Sequence, residues 1–169
     1  MPVAAKILKN FNLFVDGRGN AGNIEELKLP TLSLKNEEFR AGGMDAPIDV
    51  EMGQEKMEAS FILTGYDSAT LALWGVGPQS QVPLVARGAL ESLDGSVEQV
   101  KVTMAGTVKS VEPGAWKAGE KSSLTFTVSL RAYKFEQGGV TIDEIDVINF
   151  VRTIGGTDRL AAQRNAIGI

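Results

Sequence analysis

The sequence predicts a mainly β chain, an antiparallel β-sandwich or barrel with one short helix between strands and a short C-terminal helix. Three observations predict it. Apolar residues recur at every second position in VKVTMAGTVKSV from residue 100 and in LTFTVSLRAYKF from residue 124, the period of a strand with one buried face. Clusters of Gly, Pro, Asn and Asp separate such runs along the chain. Only two stretches, 64–77 and 155–169, break the period.

The elements follow in order. Strands are expected at 11–16, 26–35, 57–64, 84–92, 100–111, 124–135 and 140–147, with Pro30 interrupting the second. In the sixth, Leu124, Phe126, Val128, Leu130 and Ala132 fall on one side, and Thr125, Thr127, Ser129, Arg131 and Tyr133 on the other. Gly106, inside the fifth, marks a bulge or bend. The stretch TGYDSATLALWGVG fits a short helix capped by Asp67 or Ser68, turning Leu71, Trp74 and Ala72 inward and ending at Gly75 or Gly77. GGTDRLAAQRNAIGI fits another, capped by Thr157 or Asp158 and closed by Gly168. The chain reads as a single domain, 1–169, with an extended loop over about 36–56. A domain of this size buries roughly 70% of the surface its unfolded chain exposes.

Composition narrows the chemistry. A formal net charge of −4 and a pI near 5.0 argue against a surface built to grip nucleic acid. The chain has no cysteine and no histidine, which removes disulfides, thiolate metal sites and the side chain most used for proton transfer near neutral pH. No apolar run reaches membrane-span length, and MPVAAKILKNFNLF lacks a signal-peptide core, so a soluble protein that stays where it is made is expected. Glu144 and Asp146 share a strand face within IDEIDV and offer a carboxylate pair, but alternation with Ile142, Ile145 and Val147 is also the pattern of a solvated face. GRGNAG, residues 17–22, satisfies G-x-G-x-x-G after a strand-like run. A dinucleotide site requires a helix opening at Gly22, and Pro30 with the alternation of Leu27, Leu29, Leu32 and Leu34 gives a strand instead. The expected structure is a hairpin tip in which glycine supplies positive φ. No catalytic residue, cofactor or metal is assigned.

The most informative segment is 39–61, FRAGGMDAPIDVEMGQEKMEASF. It holds Met44, Met52 and Met57, three of the five methionines, in a context too polar to bury itself. An adaptable apolar side chain flanked by Gly42, Gly43 and Asp45 suits a loop that docks on a partner. Trp116, in the proline-bounded EPGAWKAGEK, either folds back on its own domain or anchors an intersubunit contact.

RAGGMDAP, EMGQEKMEASF, EPGAWKAGEK, and YKFEQGG followed by IDEIDVINFVRTIGGTDRLAAQRNAIG together resemble the major tail tube protein of contractile-tailed phages and the tube protein of R-type pyocins. The resemblance runs from about residue 11 to the C-terminus and departs in the first ten residues and in GRGNAGN. It implies a two-layer β-sandwich whose copies form hexameric rings, with inner sheets joined into a continuous barrel, stacked into a hollow tube inside a contractile sheath. It implies no enzymatic activity. The implied partners are further copies of the chain, the tail sheath, baseplate and tail-terminator proteins, a tape measure protein in the lumen, and phage DNA passing through without specific binding or stable membrane association. The implied location is the virion tail or pyocin particle, assembled in the bacterial cytoplasm. The negative net charge fits a lumen lined with carboxylates. The resemblance also puts Arg40, Gly42, Gly43, Met44 and Asp45 at the contact with the adjacent ring. Trp116 and the segment from Arg159 to Arg164 follow as intersubunit candidates. Two other readings stand beside it: a soluble β-barrel binding a small ligand, with Trp74 lining its interior, and a hydrolase using Glu144 and Asp146.

Overall fold

A computed structural model describes residues 4–169; the first three residues of the expected domain and of its N-terminal segment lie outside the described residues. The elements begin with β1 (Lys6–Val15), β2 (Arg18–Gly19), β3 (Ile24–Lys28), β4 (Leu34–Phe39), β5 (Ile48–Gln54), β6 (Met57–Leu63) and helix α1 (Ser68–Leu71). They continue with β7 (Val82–Ser92), β8 (Val97–Pro113), β9 (Leu124–Gln137), β10 (Val140–Asp146), β11 (Val151–Ile154), β12 (Thr157–Asp158) and helix α2 (Ala161–Ile167). Among the described residues all strand pairings are antiparallel, in the order β12-β11-β10-β9-β8-β7-β1-β2, with β6 between β3 and β9, and β4 and β5 pair only with each other.

The register shows how one hydrogen-bonded sheet makes two layers. Residues 124–130 of β9 pair with β6, and residues 132–137 pair with β10. Between them Arg131 is an extra residue, because Ala105 pairs with Ala132 while Gly106 pairs with Leu130. A bulge bends its strand and increases local twist. Gly106 makes this bend possible: a Cβ there would stand 2.1 Å from the carbonyl oxygen of Ser129. The first layer is therefore β3, β6, the first half of β9 and the end of β8. The second is β1, β7, the start of β8, the second half of β9, β10 and β11.

Between the layers the alternating apolar residues close into a core. Leu13, Phe61, Leu63, Leu84, Leu124, Phe126 and Val128 are fully buried, with Met57 and Met104 at 1% exposure. Phe61 and Phe126, directly paired across β6 and β9, stack with ring centroids 4.9 Å apart. Such a pair adds about 1 kcal/mol beyond its buried area.

The bulge also corrects one expected face. After Leu130 the extra residue flips the alternation, so Tyr133 is buried and Ala132 points away from the core. The strand expected over 26–35 is divided: β3 stops at Lys28, the chain turns through the buried Pro30, and Leu34 and Lys35 belong to β4. Most of the expected loop 36–56 is a β-hairpin, with β4 and β5 paired from Phe39 with Ile48 to Leu34 with Gln54 and a shift of register between Asn36 and Leu34. The first helix is a single turn whose N-cap is Asp67, as expected, accepting from Ala69 N–H at 3.3 Å. Trp74 is not turned inward but 58% exposed, since the helix stops before carrying it round to the core. The C-terminal helix starts after Leu160; Thr157 and Asp158 are spent in β12, and Gly168 closes the helix with φ +78°.

Candidate assembly surfaces

Arg40, Gly42, Gly43, Met44 and Asp45 lie together at the tip of the β4–β5 hairpin, which projects as an arm. Gly43 takes φ +85°, and Met44 N–H returns to Ala41 carbonyl at 3.2 Å, so the tip is a closed turn. Arg40 Nε donates to the Met44 carbonyl at 3.2 Å, and Ala41 N–H meets Met44 Sδ at 3.3 Å. The thioether therefore folds back on its own turn, half-buried, while Gly42, Gly43 and Asp45 stand exposed. Among the described residues, Asp45 accepts no hydrogen bond from this turn.

The arm also exposes a set of apolar residues that the sequence reading did not bring together. Phe39 and Ile48, paired across the hairpin, are each 53% exposed, as is Met52, and Val50 lies between the last two. The opposite face carries Glu38 directly across from Asp49, with Glu51 beyond. Like charges across a strand pair disfavour it, and an isolated two-stranded hairpin is marginal in water. The signal was present as the period-two IDVEM, obscured by the Gly, Pro and acidic residues around it.

At its base the arm is tied to the second layer. Arg152 Nη2 of β11 donates to Glu51 Oε1 at 2.6 Å, with the Arg152 side chain only 13% exposed. Between arm, β10, β11 and α2 runs an open groove of about 1550 Å³, lined by apolar residues including Leu34, Val50, Met52, Ile145, Phe150 and Leu160. Arg159, exposed, stands on its rim. Arg164 is half-buried and structural: Nη2 donates to Asp158 Oδ2 at 2.6 Å and Nη1 to the Phe150 carbonyl at 3.0 Å. The Arg164 guanidinium, followed by the Leu160 N–H, holds the Asp158 carboxyl below its usual range.

Trp116 is 81% exposed and far from the arm tip in sequence and in sheet position. Its indole N–H donates to the Tyr66 hydroxyl, and the two rings meet edge to face at 6.2 Å. Hydrogen bonding with Ser122, then with Trp116, holds the Tyr66 phenol below its ordinary pKa. Trp116 is thus anchored to its own domain by one edge, with most of its surface free.

The motifs that suggested chemistry take structural roles. Asp16 and Gly17, both at positive φ, form the two-residue turn between β1 and β2, and the chain after Gly22 enters β3 rather than a helix. Asp146 Oδ1 accepts from the N–H groups of Ile148 and Asn149 at 3.1 Å, which fixes the turn after β10. Glu144 is exposed and paired across the ladder with Lys134 and Thr153. Trp74 lines no interior cavity; its indole N–H caps the Lys109 carbonyl on the outer edge of β8.

A bulged β-sandwich with a projecting apolar arm and long, uncovered strand edges has the construction of a structural subunit that builds larger assemblies. The comparisons agree. Residues 5–168 match the family model described as phage tail tube protein FII. The chain is 30% identical over 166 residues to the tail tube protein of Escherichia phage P2, covering 96% of each. It is 28% identical over 148 residues to the major tail tube protein of Serratia phage KSP20, covering 86% of this chain and 85% of that one. The fold is that of a chain in an extracellular contractile injection system, the PVC sheath–tube complex in its extended state: TM-score 0.58, 10% identity, 80% of this chain and 90% of the other. A chain of the PVC sheath/tube terminator gives the same TM-score, 0.58, at 8% identity, over 80% of this chain and 97% of that one. The chain belongs to the phage tail tube protein family, and its role is structural, that of a tube-forming subunit.

Proposed function

We propose that copies of this chain join edge to edge into hexameric rings, and that the rings stack into the hollow inner tube of a contractile tail. The observation that carries this reading is the state of the second layer's edges. β1 offers Lys6 to Asn12 unpaired on one flank, since β2 covers only Phe14 and Val15. On the other flank β12 covers only Thr153 and Ile154 of β11. Unpaired edges recruit strands, and head-to-tail pairing closes into a ring when the rotation permits.

In this reading the arm tip, with Arg40, Gly42, Gly43, Met44 and Asp45, bridges to the adjacent ring. Trp116 and Arg159 contribute secondary contacts, and Arg164 holds α2 in place behind them. The tube serves as the conduit and piercing element of the virion tail, assembled in the host cytoplasm. It is surrounded by a sheath and ended by baseplate and terminator proteins, with a tape measure protein and then DNA in its bore. The chain does this work without catalysis. Replacing Met44 and Asp45 together with alanine should leave a folded subunit by circular dichroism that forms few or no tubes in electron micrographs. Tubes of normal length and number from the double variant would remove the arm tip from the stacking contact.

A further inference from the structure

The chain has no cysteine, so its five methionines hold all of its sulfur and are the side chains a peroxide attacks first. The fold places the methionines of the described residues in three environments. Met57 and Met104 are 1% exposed in the core between the layers. Met44 is half-buried at the arm tip, where its Sδ already takes the Ala41 N–H at 3.3 Å, so part of the approach to the sulfur is occupied. Met52 is 53% exposed, with no such donor among the described residues.

The hairpin decides where Met52 stands. Asn36 pairs with Glu51 and Leu34 with Gln54, so Met52 and Gly53 together lie opposite Lys35, a bulge that Gly53 accommodates at φ +105°. Strand alternation puts Met52 on the face of Ile48 and Val50, with Phe39 across from Ile48 and Glu37 across from Val50. Met52 also lines the open groove, together with Ile145, Phe150 and Leu160. A flexible thioether suits an apolar face that must fit an irregular partner. Its sulfoxide does not, because oxidation turns the side chain into a polar one that needs water or a donor at its oxygen. On the free subunit that oxygen stays hydrated and the core is untouched.

We infer that Met52 is a reversible oxidation site through which hydrogen peroxide withdraws the folded subunit from tube assembly. The inference rests on the proposed stacking, in which a second copy of the chain covers the apolar face of the arm. In the step itself a sulfur lone pair attacks one peroxide oxygen. The S–O bond forms as the O–O bond breaks, the sulfur is oxidised by an electron pair, and the other oxygen leaves as water with both hydrogens. Methionine sulfoxide reductases reverse it with a dithiol, which becomes a disulfide and releases the oxygen as water.

The purified subunit is oxidised with a limiting dose of hydrogen peroxide, freed of excess by catalase, mapped for sulfoxide by mass spectrometry, and then allowed to polymerise. Met52 should be oxidised before Met44, with Met57 and Met104 unmodified and the circular dichroism unchanged. Sulfoxide at Met52 should be depleted at least about tenfold in pelleted tubes relative to the subunits left in solution, since an unpartnered polar group is costly to bury. Methionine sulfoxide reductases with dithiothreitol should return those subunits to tubes. Met52→Leu, close in volume and on an exposed strand, should polymerise equally with and without peroxide. Oxidation of Met44 ahead of Met52, equal sulfoxide in tubes and in solution, or equal inhibition of Met52→Leu by peroxide overturns the inference and leaves the tube itself standing. Failure of the untreated chain to form rings or tubes at all would instead overturn the function proposed above.

Discussion

At the scale of single residues, Gly106 is the position on which the two layers depend. Its missing side chain lets β8 pass 2.1 Å, measured from an ideal Cβ, above the Ser129 carbonyl, and no rotamer relieves a clash with backbone. Gly106→Val should therefore cost about 3 kcal/mol or more, as overpacking does, and lower the thermal midpoint by calorimetry. An unchanged midpoint would mean the bend does not need glycine. Glu58 gives a pH signature. Lys109 and Lys56 each place Nζ 2.8 Å from Glu58 Oε1. Hydrogen bonds from Lys109, then from Lys56, bring its carboxyl from an ordinary 4.5 to about 2. A carboxyl whose folded pKa is depressed stabilises the fold above its unfolded value and loses that contribution as pH falls through the folded one. The Glu58 contribution should fade between pH 4.5 and about 2. Glu58→Gln should flatten the midpoint-against-pH curve in that window, more visibly at low salt because the cluster is exposed.

At the scale of elements, the arm is the least self-sufficient part of the fold. It is two strands with Glu38, Asp49 and Glu51 on one face and Phe39, Ile48, Val50 and Met52 on the other, where Glu37 lies across from Val50, and it is tied at its base by Arg152 and Glu51. Arg152→Ala removes a pair of about 1 kcal/mol. It should speed amide exchange over residues 34–54 while leaving the amides of β8 and β9 unchanged, whereas uniform protection would show the arm to be held by other contacts. What the sequence disclosed follows the same division. The strands whose period-two pattern is driven by a buried face, β6 through Phe61 and β9 through Leu124 to Leu130, were legible because burial selects their residues. The arm was not, because neither of its faces is buried within the subunit and so nothing enforces a clean alternation. The flip from Ala132 to Tyr133 was hidden because a bulge is a property of two strands in register, and only one can be read at a time. The tip residues were located by resemblance and are brought together by the structure. The apolar stripe of Phe39, Ile48 and Met52 emerged only when the hairpin paired them.

At the scale of the whole molecule, a subunit that polymerises through its folded edges links association to stability, since the polymer binds only the folded state. The thermal midpoint should rise across a concentration series and converge on the monomer value at high dilution. A midpoint independent of concentration would show that the subunits do not associate. The bend in β8 and β9 has a mechanical consequence. Both strands run without interruption from the first layer into the second, each hydrogen-bonded on both sides of Gly106 and Arg131. The layers of an ordinary sandwich can slide over one another because only side-chain packing joins them. Here a thrust on either layer of the subunit passes into the other along two covalent backbones, so shear between the layers is opposed by main-chain bonds as well as by packing.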